Sequence, residues 1–162
     1  MRKLKVYLDT SVINFLYADD APDFQAVTQD FFKNYSQAYD LFISQAVLRE
    51  IDKTVDSSHR ETLKNALQEY PITVLSEDEA EKVNDLAAAY LDSEVLPRSQ
   101  IEDALHVAYA TVHEMDILLS WNFKHLANVS REVRIQDANR IQGYWRPLRI
   151  VSPMEVISEN EE

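Results

Sequence analysis

The run Lys5-Val6-Tyr7-Leu8-Asp9-Thr10-Ser11-Val12-Ile13 constrains this chain more than any other stretch. Apolar, β-branched residues lead into one aspartate, two hydroxyl residues follow, and the apolar segment after them reads as a helix. A buried parallel strand delivers a carboxylate to the carboxyl edge of an open α/β sheet in this way, and such folds place their ligands at that edge. Asp9 also suits the cap of the helix it precedes. If other carboxylates converge on it, a divalent cation is the natural occupant of the space between them.

The rest of the chain repeats the alternation. Strand-like runs fall at Lys3–Leu8, Leu41–Ile43, Ile72–Leu75, Ile117–Leu119 and Arg149–Val151. Between them, Phe24, Val27, Phe31 and Phe32 make one helical stripe, Val47, Leu48 and Ile51 begin a second, and Ala80, Val83, Leu86, Ala87 and Tyr90 make a third. Ile101, Ala104, Leu105 and Ala108 make a fourth. Ser58 with Glu61, Ser76 with Glu79, and Ser99 with Glu102 have capping-box spacing, which predicts three helix starts. Strands joined by helices imply crossover connections and a mainly parallel central sheet flanked by helices. Residues 1–157 therefore read as one α/β domain, and the acidic residues 158–162 as a disordered tail.

Composition removes several chemistries. The 162 residues include no cysteine, which excludes disulfides, zinc–thiolate sites and thiol nucleophiles. A single glycine, Gly143, leaves no glycine-rich phosphate loop. The few apolar residues before Asp9 fall short of the roughly 7–15 of a signal-peptide core. No run approaches the roughly 18 apolar residues of a membrane span. The expectation is a cytoplasmic protein with no membrane partner. The net charge of −12 opposes a polyanionic partner, yet from Trp121 to Ile150 six basic residues (Lys124, Arg131, Arg134, Arg140, Arg146, Arg149) face only Glu132 and Asp137. That segment reads either as an unevenly solvated face or as a basic strip that could follow a nucleic-acid backbone.

Three further polar residues share the placement of Asp9 at strand exits and helix starts. Glu50 lies beside the apolar stripe of the helix that opens at Ser44. Asp103 lies in the first turn of the Ile101 helix, where the helix dipole favours an anion. Asn122 follows the strand Ile117–Leu119. Singly, each has an ordinary structural reading as a solvated glutamate, a dipole partner or a cap. Jointly they suggest carboxylates around one hollow, a setting for Mg²⁺ or Mn²⁺. His106 shares a helix face with Asp103, but no second histidine stands four residues away, so it reads as a packed core histidine. Ser11 stands where an aspartyl phosphatase needs its second aspartate, and where an aspartic protease needs glycine.

In this order the motifs resemble those of PIN domains, the fold of VapC-type ribonuclease toxins. Asp9-Thr10-Ser11-Val12-Ile13 resembles the opening motif, Ser44 to Ile51 the glutamate-bearing helix, and Asp103-Ala104-Leu105-His106-Val107-Ala108 the helix with the second aspartate. Leu118 to His125 resembles the closing strand and turn, and Arg149 to Glu155 the final strand. Asn122 departs from the aspartate that many members carry there. The resemblance implies a PIN-like three-layer fold and a metal-dependent endoribonuclease, with Asp9, Glu50, Asp103 and Asn122 catalytic. Asp9, Glu50 and Asp103 would hold Mg²⁺ or Mn²⁺, and Thr10, Ser11, Lys124, Arg131 and Arg134 would position substrate. The implied partners are an RNA substrate, a cognate antitoxin protein and a second copy of the chain in a homodimer. The alternative is a catalytically weak PIN-like module that binds RNA or protein.

Overall fold

The structure, a computed structural model, describes residues 2–161. Its five strands are β1 (Leu4–Leu8), β2 (Tyr39–Ile43), β3 (Ile72–Val74), β4 (Ile117–Leu119) and β5 (Arg149–Val151). They form one sheet in the order β3-β2-β1-β4-β5, with every neighbouring pair parallel. The chain builds outward from β1 to β2 and β3, then crosses to the other side for β4 and β5. The order reverses between β1 and β4, where Val6 pairs with Ile117 and Leu8 with Leu119. Ligand sites of open parallel sheets form at such a switch point, beyond the carboxyl ends of the strands.

The helices are α1 (Thr10–Phe15), α2 (Pro22–Asp30), α3 (Gln45–Asp52), α4 (Ser57–Glu69), α5 (Ala80–Asp92), α6 (Ile101–Val112), α7 (Val129–Ile141) and α8 (Pro153–Glu161). They flank a sheet whose middle is dry: Val6, Tyr7, Leu8, Leu118 and Leu119 are wholly buried, as expected for strands covered on both faces. The edge strand β3 is only three residues long and leaves Val74 exposed. The Phe24–Phe32 stripe begins in α2 and ends in a π-helical turn at Phe31–Tyr35, where Phe31 packs beside Tyr39 and Phe32 beside Tyr70.

Two local expectations are corrected. None of the three capping boxes forms. Asp56 caps α4 by accepting from the His59 N–H, while Glu79 and Gln100 precede α5 and α6 without a side-chain cap. Side-chain caps stand instead where the chain leaves an extended segment, at Asp9, Ser44, Asp56 and Asn128. Residues 158–161, expected to be loose, continue α8, and Asn160 Nδ2 donates to Tyr39 Oη at 2.7 Å. Glu162 lies outside the described residues.

At the opposite edge of the sheet from the switch point, Asp116 fastens three segments together. Its carboxylate accepts from Arg2 at 2.8 and 3.0 Å, from the Lys5 N–H at 2.8 Å and from Arg146 at 2.8 Å. The Arg2 hydrogen bond, followed by the Lys5 N–H and Arg146, holds this carboxyl well below the usual range despite partial burial. A depressed carboxyl stabilises the fold above its unfolded pKa, near 3.9, and that contribution disappears as pH falls through the folded value. Asp116→Asn is therefore expected to lower the urea midpoint at pH 7 and to lower it by much less near pH 2. An equal loss at both values would show that charge is not what Asp116 contributes.

Candidate active site

Asp9 emerges from β1 at the switch point. Its backbone N–H donates to Leu119 O across to β4, so the residue is fixed to both strands. Its Oδ1 accepts the Ser11 hydroxyl at 2.5 Å and the Val12 N–H at 3.3 Å, so Asp9 also caps α1. Burial raises the Asp9 pKa against the opposing influence of His106 and of the Ser11 and Ser120 hydroxyls. The Ser11 Oγ that donates to Asp9 accepts the Trp121 N–H at 3.0 Å, which ties the loop after β4 to the same carboxylate.

Glu50 arrives on α3, one turn and a half past the Ser44 cap. Its Oε1 accepts from Thr10 Oγ1 at 2.8 Å and pairs with His106 Nε2 at 2.6 Å. Partial burial would raise its pKa, but the His106 hydrogen bond and charge, with Thr10, bring it below the ordinary value. Asp103 comes from the first turn of α6. Its Oδ2 accepts from Asn122 Nδ2 at 2.9 Å, and Asn122 Oδ1 in turn accepts the His125 N–H at 3.0 Å. Burial, joined by the charges of Asp9 and Glu50, pushes the Asp103 carboxyl up to about 6. The three carboxylates thus act on one another through their charges, and Asn122 joins them by its hydrogen bond to Asp103.

Sequence reasoning missed the centre of that network. His106 is buried and reaches in both directions: Nε2 meets Glu50, and Nδ1 meets Tyr7 Oη at 2.7 Å, which meets Ser44 Oγ at 2.6 Å. Burial alone would lower the His106 pKa. The hydrogen bond to Glu50 and the charges of Asp9, Glu50 and Asp103 raise it above the ordinary value. With the ring protonated, both its N–H groups donate, one to Glu50 and one to Tyr7, which leaves the Tyr7 hydroxyl to donate its hydrogen bond to Ser44 Oγ. Two signals were available. Tyr7 lies two residues before Asp9, on the same strand face, and a buried tyrosine hydroxyl needs a partner. His106 stands three residues after Asp103, on the same helix face.

The arrangement is polar and anionic, and its donor chemistry suits a hard divalent cation. Carboxyl oxygens are present, and two of the carboxyls are pushed up by burial, one of them also by its anionic neighbours. Among the described residues, however, no group of three Asp, Glu or His side chains is arranged to hold a metal ion as it stands. Glu50 is turned onto His106 and Thr10. Thr10 and Ser11, expected to position substrate, each donate a hydroxyl proton to a carboxylate.

The basic strip is placed differently from the carboxylates. Arg131 donates to Val95 O, and Arg134 to Glu94 O at 3.0 Å, both in the turn after α5. Arg134 lines a cleft of about 280 Å³ between α5 and α7 that none of Asp9, Glu50, Asp103 or Asn122 borders. Lys124 lies in the loop after β4, two residues beyond Asn122. Its charge and that of Arg131, after desolvation, lower the pKa of His125.

The five parallel strands, their order and the carboxylate-bearing rim between β1 and β4 define a PIN-like α/β fold. A similar solved structure is that of VapBC2 from Rickettsia felis bound to a DNA fragment from the promoter. It matches at a TM-score of 0.55 and 14% identity, over 92% of this chain and 98% of the other. At that identity the likeness shows the fold. No family model matches the chain, and no curated protein matches it. Among the described residues, no helix is long and apolar enough to cross a membrane.

Proposed function

We propose that this protein is a metal-dependent endoribonuclease of the PIN type and the toxin of a type II toxin–antitoxin pair. The observation that carries the reading is the convergence of Asp9, Glu50, Asp103 and Asn122 at the switch point, with the Asp103 carboxyl pushed up by burial and by its anionic neighbours. Asp9, Glu50 and Asp103 would hold Mg²⁺ or Mn²⁺. Such an ion, when bound, lowers the pKa of a water for attack on phosphorus and offsets charge on the departing 3′ oxygen. Ser11 orients Asp9, Asn122 orients Asp103, and Thr10 with His106 orients Glu50. Thr10 and Ser11 act through the carboxylates they bind. The likeness to a chain of VapBC2 supports a cognate antitoxin as protein partner, and a homodimer and cytoplasmic location complete the proposal.

The test is cleavage of a panel of structured and single-stranded RNAs by purified protein, with Mg²⁺ or Mn²⁺ and with EDTA. Cleavage that EDTA abolishes is expected. A second reading, a PIN-like module that binds without cutting, is favoured by one observation: Glu50 Oε1 is engaged by both His106 and Thr10. RNA binding without cleavage under any metal would select it.

Asn122 offers a sharper probe of the metal. Its Nδ2 donates to Asp103, partly offsetting the charge that a cation would offset. Asn122→Asp removes that donor and sets a second carboxylate about one hydrogen-bond length from the first. Thermal stability without metal is expected to fall by about 1–2 kcal/mol, as a part-buried pairing becomes a repulsion. Mn²⁺ affinity is expected to rise, because ligand charge tunes binding of hard cations. Calorimetry and melting curves check both, and unaltered Mn²⁺ affinity would remove Asn122 from the ion's surroundings.

A further inference from the structure

We propose that Phe123 and Lys124 form a nucleotide subsite beside the carboxylates, where the phenyl ring stacks an unpaired base of single-stranded RNA and the ammonium meets an adjoining phosphate. The inference rests on the nuclease reading above and names how that site would hold its substrate.

Phe123 follows Asn122 directly, so its Cα lies about 3.8 Å from that of the residue bonded to Asp103. It is 45% exposed, unusual for a phenylalanine in a chain that buries Phe31 and Phe32 completely. The ring is also backed. Trp121 lies 5.9 Å away at 78° and Phe24 6.3 Å away, while Phe24 and Trp121 pack at 4.7 Å with Phe15 against both. This cluster is anchored: Trp121 Nε1 donates to the buried Thr28 hydroxyl at 2.9 Å, and the Trp121 N–H donates to the Ser11 hydroxyl that holds Asp9. Asn128 Nδ2 donates to Phe123 O at 2.7 Å and to Lys124 O at 3.3 Å, which fixes the backbone beneath. An aromatic ring held by neighbouring rings and partly exposed to solvent offers a stacking surface that loses little freedom when a base lands on it.

Charge favours a nucleotide as the occupant. Of the six basic residues between Trp121 and Ile150, five have their side chains engaged within the protein. Arg131 and Arg134 donate to backbone carbonyls, Arg140 pairs with Asp137, Arg146 with Asp116, and Arg149 with Glu132. Among the described residues, Lys124 alone of the six has a side chain with no hydrogen bond or ion pair. A protein of net charge −12 draws little affinity from phosphates at large, so a base–aromatic contact beside one available cation is the economical way to hold an RNA strand. Stacking needs an unpaired base and tolerates any of the four.

The test is fluorescence anisotropy with a labelled twelve-nucleotide single-stranded RNA of mixed sequence and a length-matched abasic ribose-phosphate oligomer, in EDTA so that metal-dependent cleavage does not intervene. Phe123→Ala is expected to weaken RNA binding about 5- to 100-fold. Phe123→Leu should lose most of the same affinity although it keeps apolar bulk, and Phe123→Trp should restore it. None of the three should alter binding of the abasic oligomer, and melting curves verify that each variant folds. Lys124→Ala should weaken both oligomers and reduce the slope of log affinity against log salt by about 0.7. Wild-type affinity in Phe123→Ala, or an equal loss on the abasic oligomer, overturns the subsite while leaving the nuclease reading in place. Unchanged RNA affinity with altered sedimentation assigns the ring to a protein interface and likewise overturns it. A wild-type protein that binds neither oligomer overturns the RNA reading and the subsite together.

Discussion

Replacing Asp103 by asparagine is expected to reduce metal-dependent RNA cleavage by at least 10²–10³-fold while raising the melting temperature of the metal-free protein. The first effect follows from the proposal that Asp103 holds the metal, since losing a charge-bearing group from a reacting centre usually costs a factor of about that size. The second follows from the carboxyl pKa of about 6, set by burial and by Asp9 and Glu50. An aspartate in the unfolded chain titrates near 3.9, so between roughly pH 4 and 6 the folded state binds more protons and stability falls as pH rises. At pH 7 the wild type carries the full penalty, and asparagine carries none. Allowing for the new amide's unmet hydrogen bonds, a gain of about 1–2 kcal/mol, or roughly 3–6 °C, is expected. Asp9→Asn should lose activity equally. Full activity in both purified variants would sink the assignment of these residues, whatever their melting temperatures.

The second large effect is expected at His106. His106→Ala leaves a cavity and strips a partner from Glu50 Oε1 and from the buried Tyr7 hydroxyl. A loss of about 2–4 kcal/mol, roughly 5–12 °C, is expected, moderated because Glu50 can regain water. The effect carries a pH signature. The folded pKa of His106 is raised, so its stabilisation is complete below the unfolded value near 6.5 and fades as pH climbs through the folded one. The gap in melting temperature between wild type and variant should therefore be widest near pH 6 and narrow toward pH 9. Tyr7→Phe, nearly isosteric, should show a smaller loss of about 1–3 kcal/mol. A gap at His106→Ala that ignores pH would mean the histidine contributes packing only.

How far these residues were legible varies with the range of the interactions that place them. Asp9 was legible because its surroundings are local: the strand before it and the helix after it are its sequence neighbours, and Ser11 and Val12 are its hydrogen-bond partners. Glu50, Asp103 and Asn122 were legible only as a set, through their places at strand exits and helix starts. The three capping boxes misled because serine and glutamate three residues apart are common on any polar helix start. The chain's actual caps sit where extended backbone turns into helix, a geometry that spacing alone does not carry.

The sequence by itself determined the alternation of strands and helices, the parallel sheet that alternation requires, and the chemistries that no cysteine and a single glycine leave out. These follow from short-range periodicity and composition. Only the tertiary structure decided which side chain meets which. It turned Glu50 onto His106, 56 residues away, linked Tyr7 to Ser44 and His106, and paired Arg146 with Asp116 instead of leaving it for a polyanion. Periodicity tells which face of an element is buried. The partner across that face is set by strand order and register, and the switch between β1 and β4 brought the distant residues to one rim.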